Sequence, residues 1–145
     1  MHSAGYPPYS RKRAADSPAI AIVPTSSARR SALHRVRGRG GDALYAGGTL
    51  RRADGRKVVF GPNDVRFVPR RRWRSPATGA LYPVEGEFVV KLPEGERRFR
   101  LIPLFDAQEL DGRAAGMPAY WEGAVSTNGG RGYLELTGYA GDLKL

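Results

Sequence analysis

The sequence predicts an all-β protein, an antiparallel meander that closes, or nearly closes, into a partial barrel. Three observations carry this reading. Short apolar segments are separated by turn residues at regular intervals, and within each segment apolar and polar residues alternate. No stretch shows the 3.6-residue apolar period of a long amphipathic helix.

Taken in order, residues 1–41 read as a disordered basic tail. They combine Pro7-Pro8, Pro18, Pro24, a Ser/Ala/Arg stretch and Arg37-Gly38-Arg39-Gly40-Gly41, with no sustained period. Residues 42–145 are the predicted barrel domain. Leu44–Arg51 and Lys57–Val68 flank Ala53-Asp54-Gly55, and Asp-Gly favours a tight hairpin because both residues tolerate positive φ. Glu87–Leu92 and Arg97–Leu104 flank Pro93-Glu94-Gly95-Glu96. A turn at Glu94-Gly95 sets Val90 opposite Phe99 and gives one face of Phe88, Val90, Leu92, Phe99 and Leu101. The other face carries Glu87, Lys91, Arg98 and Arg100. Finally, Ala119–Ser126 and Arg131–Tyr139 flank Thr127-Asn128-Gly129-Gly130. An Asn128-Gly129 turn pairs Val125 with Gly132, Trp121 with Leu136 and Glu122 with Glu135. Tyr120, Glu122, Tyr133, Glu135, Thr137 and Tyr139 then share one face, and Trp121, Val125, Leu134 and Leu136 the other.

Bulk composition narrows the function. At 145 residues there is room for one domain. The net charge of +10 raises a nucleic-acid partner. However, residues 1–42 hold eight basic and two acidic residues, so the other 103 carry only +4. Twenty of the 24 basic residues are arginine, a balance that GC-rich coding produces, and no nucleic acid is expected as partner. The run Arg70-Arg71-Arg72-Trp73-Arg74 reads as a solvated loop. There is no cysteine, and both histidines, His2 and His34, fall in the tail, so neither a metal site nor a Ser/His/Asp triad is expected. No organic cofactor is called for. The longest apolar run near the N-terminus, Ala19–Val23, is too short for a signal-peptide core, and none approaches a membrane-spanning helix. The default compartment is the cytoplasm, with peripheral membrane contact left open.

Three segments carry a family resemblance. Trp73-Arg74-Ser75-Pro76-Ala77-Thr78-Gly79-Ala80-Leu81-Tyr82-Pro83 resembles a Trp-x-Ser-Pro-x-(Ser/Thr)-Gly-x-x-Tyr-Pro stretch. Gln108-Glu109-Leu110 resembles a Gln-Glu-Leu element. Tyr120–Val125 with Gly132–Tyr139 is similar to a C-terminal signature. All three, in this order, resemble the C-terminal lipocalin-like domain of the carotenoid 1,2-hydratase (hydroxyneurosporene synthase)/AttH family. The resemblance implies a bacterial protein with a lipocalin-like antiparallel β-barrel. It further implies binding of an apolar polyene or isoprenoid ligand, or cofactor-free hydration of one as a lyase of carotenoid biosynthesis, and many members are exported. It also implies a truncated chain: an upstream domain, the opening strands of this one and the acid-bearing upstream motifs have no counterpart, and Val84-Glu85-Gly86 stand where a tryptophan often follows the Tyr-Pro. An incompletely closed sheet would leave edges open to self-association.

Candidate chemistry centres on the last hairpin. Two carboxylates facing each other on a strand pair, Glu122 and Glu135, repel unless a cation separates them or one keeps its proton. A protonated carboxyl in a tyrosine-lined apolar site is what alkene protonation requires. An arginine bridge, or a wet face, would make the pair structural. Tyr82, Gln108, Tyr120, Tyr133 and Tyr139 are the candidate ligand contacts, while Gln108 and Glu109 could instead satisfy backbone groups at a strand-to-loop corner. A non-enzymatic module binding an apolar ligand or a partner protein is the alternative function, and a basic nucleic-acid-binding protein the weaker one.

Overall fold

The computed structural model describes residues 19–24, 30–37, 43–128 and 130–140, and their regular structure is extended apart from a single 3-10 turn at Arg113–Ala115. Ten strands follow in order: β1 (Ala19–Pro24), β2 (Arg30–Arg37), β3 (Ala43–Arg51), β4 (Lys57–Phe60), β5 (Val65–Arg74), β6 (Leu81–Leu92), β7 (Gly95–Pro103), β8 (Glu109–Asp111), β9 (Ala119–Thr127) and β10 (Gly130–Thr137). They form one curved sheet in the order β4-β3-β2-β1-β10-β9-β7-β6-β5, and β8 pairs with β9 beyond the end of β7. Every pairing is antiparallel. The two end strands, β4 and β5, are consecutive in sequence yet do not pair, so the barrel keeps an open seam.

The tail is where the sequence reading needs correction. Ala19–Pro24 and Arg30–Arg37, expected to lack order, are strands, and Leu33 is fully buried in the core. The physical reason is non-local pairing: β1 lies against β10, more than a hundred residues away, with Ala19 opposite Leu136 and Ile22 opposite Tyr133. A short Ala/Ile/Val run that no local turn marks as a strand still orders on a sheet edge that needs a partner. These two strands also join β3 to β10 in the sheet. The rest of residues 1–41 lies outside the described residues.

Turn chemistry explains the remaining boundaries. The first hairpin turns at Ala53-Asp54-Gly55: Gly55, in the left-handed region at φ +85, donates its N–H to the Arg52 carbonyl at 3.0 Å and closes the turn. The predicted strand Lys57–Val68 is two strands, because Gly61-Pro62-Asn63-Asp64 crosses the seam from β4 to β5. There the Asp64 carboxylate accepts the Gly61 N–H at 2.8 Å. The β6–β7 turn falls at Pro93-Glu94 rather than Glu94-Gly95, so Phe88, not Val90, faces Phe99. The slip is of two residues, and the apolar face survives it. The last hairpin has the expected register, Val125–Gly132, Glu122–Glu135 and Trp121–Leu136.

The core is the inside of the barrel. Trp121, Tyr82, Phe88, Phe99, Leu33, Leu101, Leu134 and Leu136 are each at most 1% exposed and belong to one cluster. Gly86 lets β5 and β6 close over it, since a Cβ there would stand 2.5 Å from the Phe67 ring. Outside, β5, β6 and β7 carry a ladder of ion pairs. Glu87 lies between Arg70 (3.4 Å) and Arg98 (3.3 Å), and Glu85 between Arg71 and Arg100 (both 3.1 Å). Asp106 takes a second contact from Arg71 at 2.8 Å. Arg70 and Arg71, in the basic run, are thus turned toward this chain's own carboxylates.

Candidate functional site

The candidate residues divide between the two sides of the sheet. Alternation along β9 and β10 sends Trp121, Val125, Leu134 and Leu136 inward, each 0% exposed. Glu122, Glu135, Tyr120 and Tyr133 therefore lie on the outer side and are half-buried, except Tyr133, which is 40% exposed. Glu122 and Glu135 sit directly opposite each other. No arginine or lysine of residues 46–128 or 130–140 forms an ion pair with either. Burial, and then the Glu122 carboxylate, push the Glu135 carboxyl above the usual carboxylate range. Burial and the neighbouring Glu122 carboxylate likewise push the Tyr133 hydroxyl up to about 12. The pair thus lines an outer face and not the concave interior.

This face has an apolar border. Leu110 is opposite Tyr120, Ile102 is opposite Ser126, and Leu104 donates its N–H to the Ala124 carbonyl at 3.0 Å. Ile102, Leu104 and Leu110 are 37–50% exposed. Rows across the outer sheet read Leu110–Tyr120–Thr137, then Glu122–Glu135, then Leu104–Ala124–Tyr133. Two facing carboxyls are framed by tyrosines and exposed aliphatic side chains.

Tyr82 and Tyr139 are on the other side. The Tyr82 ring is 6.4 Å from Trp73 and 5.5 Å from Tyr139, against the core. Period-two reading put Tyr139 beside Tyr133. Gly138, at φ +80, breaks the alternation and turns Tyr139 inward instead. The candidate tyrosines therefore form two separate groups, Tyr120 with Tyr133 outside and Tyr82 with Tyr139 against the core.

Gln108 serves as a piece of missing strand. Its side-chain oxygen accepts the Ala124 N–H at 2.9 Å, and its amide nitrogen donates to the carbonyls of Phe105 (2.8 Å) and Ala124 (3.3 Å). Gly123 makes room, because a Cβ there would lie 2.2 Å from the Gln108 amide. Gln108 thus satisfies β9 between the ends of β7 and β8, the corner role weighed for it.

Glu109, weighed from the sequence as a corner residue that satisfies backbone groups, instead takes side-chain hydroxyls as partners and ties the three motifs together. Glu109 accepts hydrogen bonds from Ser75 Oγ (2.5 Å) and Thr78 Oγ1 (2.8 Å). Ser75, 1% exposed, also accepts the Ala77 and Thr78 N–H groups, both at 3.1 Å. The Tyr82 hydroxyl is buried and makes no hydrogen bond of normal geometry; burial, and then the nearby Glu109 carboxylate, push its pKa well above the usual phenol range. Next along, Trp121 Nε1 donates to the Asp106 carbonyl at 2.6 Å. The Ser-Pro-x-Thr-Gly turn, the Gln-Glu-Leu element and the C-terminal Trp thus form one latch at the β5–β6 end. The signal was available, as a carboxylate motif with a hydroxyl motif thirty residues upstream, but only the fold shows that they meet.

Among the described residues no group of three or more His, Cys, Asp or Glu side chains could hold a metal ion, and no helix is long and apolar enough to cross a membrane.

Comparison with known proteins matches this arrangement. A family model described as AttH-like matches residues 26–139. Among solved structures, a protein assigned as an AttH from Nitrosomonas europaea is 38% identical with a TM-score of 0.79, covering 91% of this chain and 41% of that one. Kievitone hydratase from Nectria haematococca shares the fold at a TM-score of 0.61 and 17% identity, covering 88% of this chain and 40% of that one. The chain thus spans about two fifths of the length of either structure. No curated protein matches it.

Proposed function

Because the chain belongs to the AttH-like family, we propose that its lipocalin-like β-domain binds an apolar ligand of the isoprenoid or polyene class, and does so on the outer face of β7–β10. The observation that carries this reading is that Ile102, Leu104, Leu110 and Tyr133, all large side chains, are 37–50% exposed on one face of the sheet. Exposed apolar surface gathered on one face of a folded domain marks a binding face. The inner face carries a cluster of buried aromatic and aliphatic side chains, and we place a long chain against the sheet rather than within it. The test is a titration with farnesol, a neutral isoprenoid alcohol, followed by the ring resonances of Tyr120 and Tyr133. Saturable shifts that weaken several-fold in Leu110→Glu support the reading, and an absence of saturation overturns it.

The raised Glu135 carboxyl favours a second reading, cofactor-free hydration. In that step a protonated Glu135 gives its proton to the less substituted carbon of a terminal double bond. A tertiary cation forms beside the tyrosine faces, water adds to it, and the oxonium proton returns to a carboxylate of the pair. The described residues supply one wall of such a site. In a carotenoid-producing strain, an enzyme yields a tertiary alcohol that Glu135→Gln abolishes. A binding module yields none while still taking up farnesol.

A further inference from the structure

A charged residue of β7 stands at the rim of the apolar interior. On β7, Arg97, Phe99 and Leu101 alternate onto the inner face; Phe99 and Leu101 are at most 1% exposed, while Arg97 is only half-buried. Arg97 lies opposite the fully buried Val90, and its guanidinium carbon is 5.2 Å from the centre of the Phe99 ring. The alternation calls for an apolar residue here, and a side chain that breaks the local pattern without evident structural gain points to a functional use.

A pocket of about 260 Å³ opens at this end of the barrel. Its floor is Leu50, 2% exposed, and its walls are Arg52, Arg56 and Arg97, with Ala53 and Asp54 beside them. Two of these cations are already paired, Arg52 with Glu94 at 2.5 Å and Arg56 with Asp54 at 2.6 Å. Arg97 has no carboxylate within ion-pair distance among the described residues. The guanidinium lies within cation–π range of the Phe99 ring, and its planar fork matches a carboxylate with two parallel hydrogen bonds. The volume suits a head group, since pockets for whole drug-sized ligands start at roughly 300 Å³.

We propose that this barrel mouth binds an organic carboxylate on Arg97, as a free small acid or as the head of an amphipathic chain. The site is at the β3–β4 turn and does not depend on the reading of the β7–β10 face. The test follows the backbone amide resonances of Ala53 and Asp54, which line the same pocket and persist when Arg97 is replaced, in the full chain during titration with butyrate, octanoate and octanol at constant chloride. Both acids should shift them saturably. Equal affinities identify a free acid, and tighter octanoate with silent octanol identifies an amphiphile head. Arg97→Gln should weaken acid binding at least tenfold and Arg97→Lys, which keeps the charge without the fork, by less, while Arg72→Gln leaves it unchanged. Octanol binding as tightly as octanoate, or wild-type acid affinity in Arg97→Gln, overturns the proposal. If Arg97→Gln fails to fold, wild-type affinity in Arg97→Lys together with octanol binding decides against it.

Discussion

The two carboxyls of the last hairpin show how much one pair decides. Glu135 is shifted upward by burial and by Glu122, so the folded protein holds its proton more tightly than the unfolded chain. Its contribution to stability is present below the unfolded carboxylate pKa and is lost as pH rises through the folded value. Glu135→Gln should therefore raise the melting temperature at neutral pH, with the gain shrinking toward zero near pH 4. Thermal melts at several pH values check this, and a variant less stable than wild type at pH 7 contradicts it. The ladder farther along the outer face, on β5–β7, has the opposite sign. The guanidiniums of Arg100 and Arg71 hold Glu85 below the usual range, and Arg71 does the same for Asp106. Their stabilisation is present at neutral pH and is lost as pH falls through the lowered values. These pairs are mostly exposed, so salt should weaken them.

At the level of elements, the sequence was legible wherever turn chemistry is local. Asp54-Gly55 and Asn128-Gly129 marked their hairpins, and the second set the register residue by residue through Glu122 and Glu135. Pro93-Glu94-Gly95 left a choice of two residues, which moved Phe99's partner without changing the faces. What local patterns could not show was long-range: β1 finding β10, and Glu109 finding Ser75 and Thr78. Arg97 was readable by parity, since it stands on the same face as Phe99, but its meaning needed the neighbouring β3–β4 turn. The latch makes a measurable claim. Glu109→Ala leaves the buried Ser75 hydroxyl and Thr78 without their acceptor and should cost about 2–3 kcal/mol, as removal of a charged hydrogen-bonding partner does. Urea unfolding with an unchanged slope checks it, and a loss below about 0.5 kcal/mol would show that the turn holds without the carboxylate.

For the whole molecule, the open seam need not be the sticky surface. β4 is only four residues long, and β5 carries Pro69 with Arg66, Arg70, Arg71, Arg72 and Arg74. Short, charged and proline-bearing edges resist pairing with another chain. Self-association should instead run through the outer face of β7–β10. In sedimentation velocity, Leu104→Lys and Leu110→Lys should reduce it, whereas Val59→Lys on β4 should not; the reverse pattern would return the role to the edge. The same face is central to the proposed function, and one measurement addresses it directly. A neutral isoprenoid chain carrying a nitroxide label broadens the methyl resonances nearest to it. The account predicts selective broadening at Ile102, Leu104 and Leu110, with Leu33, Leu101 and Leu134 of the interior left sharp. Broadening of the interior methyls with the outer ones spared would place the ligand inside the barrel and contradict the account.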